Sequence, residues 1–149
     1  MSLKIIKGGD TFKKLDKLLK NSKSQLQAGF FQGQMRKSGN KDIPQAQIAY
    51  WNEFGTDDGT IPPRPFMKIS VEKNSKRWFN FIKKGLLNNN FEIKKTINQL
   101  GSMVVGDIQK EITDLRTPPN AESTIKKKGS SNPLIDTGIM RNSVKYKVK

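Results

Sequence analysis

The strongest constraint on the fold is a run of seven apolar residues, Ile93, Ile97, Leu100, Val104, Ile108, Ile112 and Leu115, spaced 4, 3, 4, 4, 4 and 3 apart. Steps of three and four return to one side of a helix, so the run predicts a single amphipathic helix. About 23 residues rising 1.5 Å each would make it roughly 35 Å long. A stripe of this kind needs an apolar surface to lie against, and the rest of the chain has to supply it. Gly101 and Gly106 fall inside it. Each weakens a helix by about 1 kcal/mol relative to alanine and is a place where another element can pack closely.

The remaining elements follow from shorter patterns. Asp10 is placed to cap a first helix in which Phe12, Leu15, Leu18 and Leu19 recur up to Asn21, with lysines on the outer face. Residues 25–30 partly alternate and predict a strand ending near Gly33, after which 36–42 (RKSGNKD) read as a turn. Ile43-Pro44 opens a short helix with Ile48, Trp51 and Phe54 on one face, Ala49 beside them and Gly55 closing it. Residues 56–65 hold three prolines and form a loop. A helix is expected over Phe66 to Leu87, broken at the asparagines 88–90. Residues 116–133 read as a long loop of the kind that is functional or disordered. Asp136-Thr137-Gly138 is a turn or cap, and Val144, Tyr146 and Val148 alternate with lysines as a closing strand. The expected class is α+β, in a single domain over 1–149: a small antiparallel sheet packed against several helices, one of them long, with extended loops.

Composition narrows the chemistry. The chain has no cysteine and no histidine, which removes disulfides, thiol nucleophiles, the usual zinc sites and imidazole bases. The 149 residues hold 13 acids, and these do not assemble into a recognisable catalytic set. Asp57-Asp58 beside Gly59 lacks the further ligands of a calcium loop and reads as a turn. Asp107, Glu111 and Asp114 sit on the side of the long helix away from its apolar stripe and read as a solvated face. Gly8-Gly9-Asp10-Thr11 lacks the lysine of a phosphate loop. No cofactor, metal or catalytic residue is expected, and no apolar window reaches the length of a membrane span.

Net charge is +15 and is concentrated at the ends: +8 over 1–41, +1 over 42–115 and +6 over 116–149. Basic ends of this kind suit nucleic acid or an acidic protein surface. Arg116, Lys126, Lys127 and Lys128 are the candidate phosphate or DNA contacts; a DNA-binding module using the basic ends is the alternative function, and genomic DNA in passage is a further, nonspecific partner. No aromatic platform for stacking bases lies near the lysine run.

Three blocks carry a resemblance. They are Ile48-Ala49-Tyr50-Trp51-Asn52-Glu53-Phe54-Gly55-Thr56, then Ile61-Pro62-Pro63-Arg64-Pro65-Phe66-Met67, and then 118–125 (PPNAESTI) with 129–138 (GSSNPLIDTG) and Arg141-Asn142-Ser143-Val144. In this order they resemble the tailed-bacteriophage neck and tail-completion proteins related to the gp10-type tail component of phage HK97. Glu122 stands where that family usually has proline, and Ile139 where it often has Gln or Arg.

The resemblance implies a non-enzymatic virion protein, assembled in the host cytoplasm. It would form a homo-oligomeric ring, a hexamer on the family pattern, at the head-tail junction or the upper end of the tail, among other neck and tail proteins. Its subunit-interface candidates are Trp51, Glu53, Phe54, Arg64, Phe66, Pro133, Leu134, Ile135 and Arg141. Glu53 and Arg64 are expected to pair and lock the first two blocks together.

Overall fold

The computed structural model describes Lys13, Lys17 and residues 22–38, 41–89 and 92–149. The first helix expected from the sequence lies outside the described residues, apart from those two lysines. The described elements are strands β1 (Leu26–Gly29), β2 (Met35–Ser38) and β3 (Lys41–Pro44), helices α1 (Gln45–Phe54), α2 (Phe66–Asn88), α3 (Ile93–Asp114), α4 (Glu122–Lys128) and α5 (Ile139–Asn142), and strand β4 (Lys145–Val148).

The helix expected from the stripe is α3, of 22 residues, and the stripe forms the core. Leu100, Val104, Ile108, Ile112 and Leu115 are buried, joined by Phe66 of α2, Ala49 of α1, and Leu134, Met140 and Val144 near the C-terminus. Each of these side chains larger than alanine contributes about 1.5–3 kcal/mol by leaving water. Three elements supply most of the cover of α3, with α5 adding a smaller contact. Helix α2, of 23 residues, packs along it, while β1 and β4 pair antiparallel, Leu26 opposite Val148, and both also pack on it. The ring of Tyr146 in β4 occupies the place that a side chain at Gly101 would need, since a Cβ there would fall 2.3 Å from the ring. Gly101 is therefore a close crossing point; Gly106 meets nothing.

The polar side of α3 is not simply solvated, which corrects one expectation. Asp107 accepts from the Trp78 indole at 2.6 Å and pairs with Arg77, and Glu111, only 8% exposed, takes the Lys73 ammonium at 2.8 and 3.0 Å. These acids therefore join α3 to α2. Asp114 alone fits the solvated reading, pairing with Lys110 on its own helix.

Two further corrections concern local structure. Residues 36–38 and 41–42, expected as a turn, are strands: β2 and β3 pair antiparallel with Ser38 opposite Lys41. Pro44 ends β3 and precedes α1 instead of starting it. Within α1 the buried residues are Gln45, Ala49 and Glu53, whereas Phe54, expected on the apolar face, is 66% exposed.

Candidate functional site: the junction of three loops

The first two resembling blocks meet around α1 and the start of α2. Gly55, at φ 82°, ends α1 with its amide on the Trp51 carbonyl at 2.9 Å. A Cβ at Gly55 would come within 3.0 Å of the Ile61 carbonyl oxygen, so the chain can double back here only without a side chain. The proline loop is ordered by its own polar groups. Thr56 bonds Ile61 in both directions at 3.0 Å, and the Asp58 carboxylate accepts from the Thr60 amide at 3.0 Å and hydroxyl at 2.7 Å. The side-chain bonds from Thr56 and Thr60 lower the Asp58 pKa to about 2.

Glu53 and Arg64 both lie at this junction, but they do not pair, and the expected ion pair is corrected by their actual partners. The two Glu53 oxygens accept from the amides of Met67 at 2.8 Å and Lys68 at 3.0 Å. These are first-turn amides of α2, which has no side-chain cap of its own. A carboxylate there satisfies orphan donors and faces the positive end of the helix dipole.

Arg64 reaches the third block instead. Its backbone amide donates to the Asn52 carbonyl at 2.7 Å, and its guanidinium donates through Nε to Pro118 O at 2.8 Å and through Nη2 to Pro119 O at 3.1 Å and Asn120 Oδ1 at 3.3 Å. Arg64 is 4% exposed. Burial holds its pKa below the ordinary arginine value.

The third block is far more structured than a long loop, because its polar groups find partners within the chain. Residues 122–128 form α4, which ends at Gly129 in the left-handed conformation. Asn132 donates to Thr113 O at 3.0 Å, and its side-chain oxygen accepts from the amides of Leu134 and Ile135 at 3.0 and 3.2 Å. Lys128 turns inward and donates to the carbonyls of Asn132 at 3.0 Å and Pro133 at 3.4 Å. Burial is the main influence lowering the Lys128 pKa; Asp136 opposes the shift, while Arg64 and Arg36 add to it. Arg116 donates to Thr113 O at 2.5 Å, at the end of α3. Of the four cations read as phosphate contacts, only Lys126 and Lys127 are exposed and without such a structural duty.

The interface candidates divide in the same way. Glu53, Arg64, Phe66, Pro133 and Leu134 are buried within the subunit, Phe66 edge-on to Phe30 at 6.2 Å, so they shape the fold and offer no surface. Trp51, Ile135 and Arg141 are half-buried, and Phe54 is open. The sequence reading missed Tyr50, its ring tilted against Phe54 at 4.8 Å between centroids, and Val71 and Phe79 of α2, all exposed. Their positions off the main apolar stripes were the available signal.

Between the three blocks lies a cavity of about 520 Å³ whose lining includes Arg36, Arg64, Lys128, Asp136, Thr124 and Thr137. Arg36 of β2 pairs with Asp136 on its wall, and both side chains are partly open to solvent. Among the described residues no acidic cluster could hold a metal ion, and no helix is long and apolar enough to cross a membrane. Compared with family models, curated proteins and solved structures, the chain matches none.

Proposed function

We propose that the protein is a structural subunit of a tailed-phage particle that forms a ring at the head-tail junction or the upper tail. The observation that carries this reading is the convergence of the three resembling blocks on one buried guanidinium. Arg64 of the second block joins Asn52 of the first to Pro118, Pro119 and Asn120 of the third. Segments that resemble the family in sequence order thus also act as one structural unit. The exposed Tyr50, Phe54, Val71 and Phe79 supply apolar surface of the sort that a neighbouring subunit covers. A closed ring pairs two different patches on successive copies, which suits surfaces held rigidly by clamped loops.

Primary DNA binding has less support, because Arg116 already donates to the Thr113 carbonyl and Lys128 faces the cavity between the blocks, which leaves Lys126 and Lys127 as the outward pair of the four. Light scattering and negative-stain microscopy of the purified chain, together with deletion of its gene from a phage genome, test the reading. Closed rings, and particles whose heads and tails fail to join, are expected. A chain that stays monomeric at high concentration, with complete infectious particles after deletion, would overturn it.

A further inference from the structure

Arg64 is buried and Lys128 half-buried, yet among the described residues neither is in an ion pair; both are satisfied only by neutral oxygens. Withdrawing a cation from water, wholly or in part, without a counter-charge is costly, because carbonyl dipoles replace hydration only in part. Both line the same cavity, where Arg36 is a third cation and Asp136 the one carboxylate. Three positive groups against one negative leave the cavity two charges short of neutral.

We propose that this cavity binds a phosphate group in its dianionic form, either free phosphate or the end of a phosphate monoester. At neutral pH that group carries about −1.5 to −2, which matches the deficit. A phosphodiester carries one charge and leaves half of it. The lining also includes the Thr124 and Thr137 hydroxyls, neutral donors of the kind an oxyanion accepts from. Arginine recognises phosphate through the fork of its guanidinium, and Arg36, partly open to solvent on the cavity wall, can exchange Asp136 for the ligand. Asp136 then acts as the cavity's resident competitor.

Calorimetric titration of the full chain at constant ionic strength, which holds screening fixed, tests this with three probes. These are inorganic phosphate, a 5′-mononucleotide, and an oligonucleotide without terminal phosphates. Saturable binding of the first two is expected, with no displacement by the third. A mononucleotide that binds no more tightly than phosphate identifies the free ion as the ligand; tighter binding identifies a monoester. Lys128→Gln should weaken binding about tenfold, and Asp136→Asn should tighten it by a similar factor. Asp136 is exposed, so its substitution keeps the test decisive even if Lys128→Gln disturbs folding. The proposal is overturned by an absence of saturable binding, by unchanged affinity in Asp136→Asn, or by displacement with the unphosphorylated oligonucleotide.

Discussion

Arg64 donates its Nε hydrogen to the carbonyl oxygen of Pro118 at 2.8 Å, across 54 residues of chain. With the bonds to Pro119 and Asn120, this contact ties the proline loop to the segment that leaves α3. Replacing Arg64 with alanine removes the donor of two carbonyls and empties the space of a buried side chain, and should destabilise the fold by about 2–4 kcal/mol. Lysine keeps the charge but cannot reproduce the fork, so Arg64→Lys should recover only part of that loss. Denaturant midpoints of the two variants check the order. Equal stability of Arg64→Ala and the parent would show that the clamp is dispensable.

Glu53 contributes both carboxylate oxygens to the start of α2. Glutamine retains one acceptor and replaces the other with a donor facing a donor. Glu53→Gln should therefore lose about 1–3 kcal/mol, more than an ordinary surface substitution. The loss should appear as faster amide exchange at Met67 and Lys68 as well as a lower melting temperature.

Two glycines of one helix should respond in opposite directions to the same change. At Gly101 a methyl group would run into the Tyr146 ring, whereas at Gly106 it would meet nothing. Gly106→Ala should stabilise by about 0.5–1 kcal/mol through helix propensity. Gly101→Ala should destabilise by about 1–3 kcal/mol, because aromatic ring and strand must both move. Introducing Tyr146→Ala beside Gly101→Ala should return much of that loss. Calorimetric unfolding of the four proteins measures each step.

This contrast shows what was legible in the sequence. The α3 stripe was, because hydrophobic periodicity is a local signal and five of its seven residues are buried. The closing strand was legible too, since Val144 to Val148 alternate, and β4 does pair with β1. The β2–β3 hairpin was hidden because MRKS and KDIP are mostly polar and carry no apolar alternation. Helix α4 was hidden for a related reason: ESTIKKK has one large apolar residue, and what holds its surroundings is hydrogen bonding to Asn132 and Lys128. At the junction, the sequence pointed to Glu53 and Arg64 as important. Their opposite charges suggested a pair, but partner choice depends on geometry. An orphan helix terminus attracted the carboxylate, and converging carbonyls attracted the guanidinium.

Asp58 gives the proline loop a defined response to acid. Its pKa is lowered from 3.8 to about 2 by the bonds from Thr56 and Thr60. A depressed carboxyl pKa adds stability that is present above the unfolded value and disappears as pH falls through the folded one. The loop should therefore keep its structure at pH 5 and loosen between about pH 4 and 2. Titration of the Thr60 amide resonance should show a midpoint near 2. In Asp58→Asn that transition should be missing, and a midpoint near 4 in the parent would contradict the geometry.

Phe54 and Phe79 are 66% and 69% exposed, and neither belongs to the core. An aromatic ring left in water gains little by folding, so removing it should leave the subunit's stability almost unchanged. If another copy covers these rings, the gain appears only on association, where aromatic side chains dominate interface energy. Phe54→Ser and Phe79→Ser should thus unfold within about 0.5 kcal/mol of the parent. At least one of the two should shift the assembly midpoint to about tenfold or more higher protein concentration. Stability and association are separable here because Phe66, twelve residues from Phe54, is fully buried against Phe30. Phe66→Ser should lose several kcal/mol through the cavity it leaves. Sedimentation of the three variants beside their unfolding curves distinguishes a ring that supports the fold from one that supports the assembly. Unchanged association in both exposed variants would remove this surface from the interface.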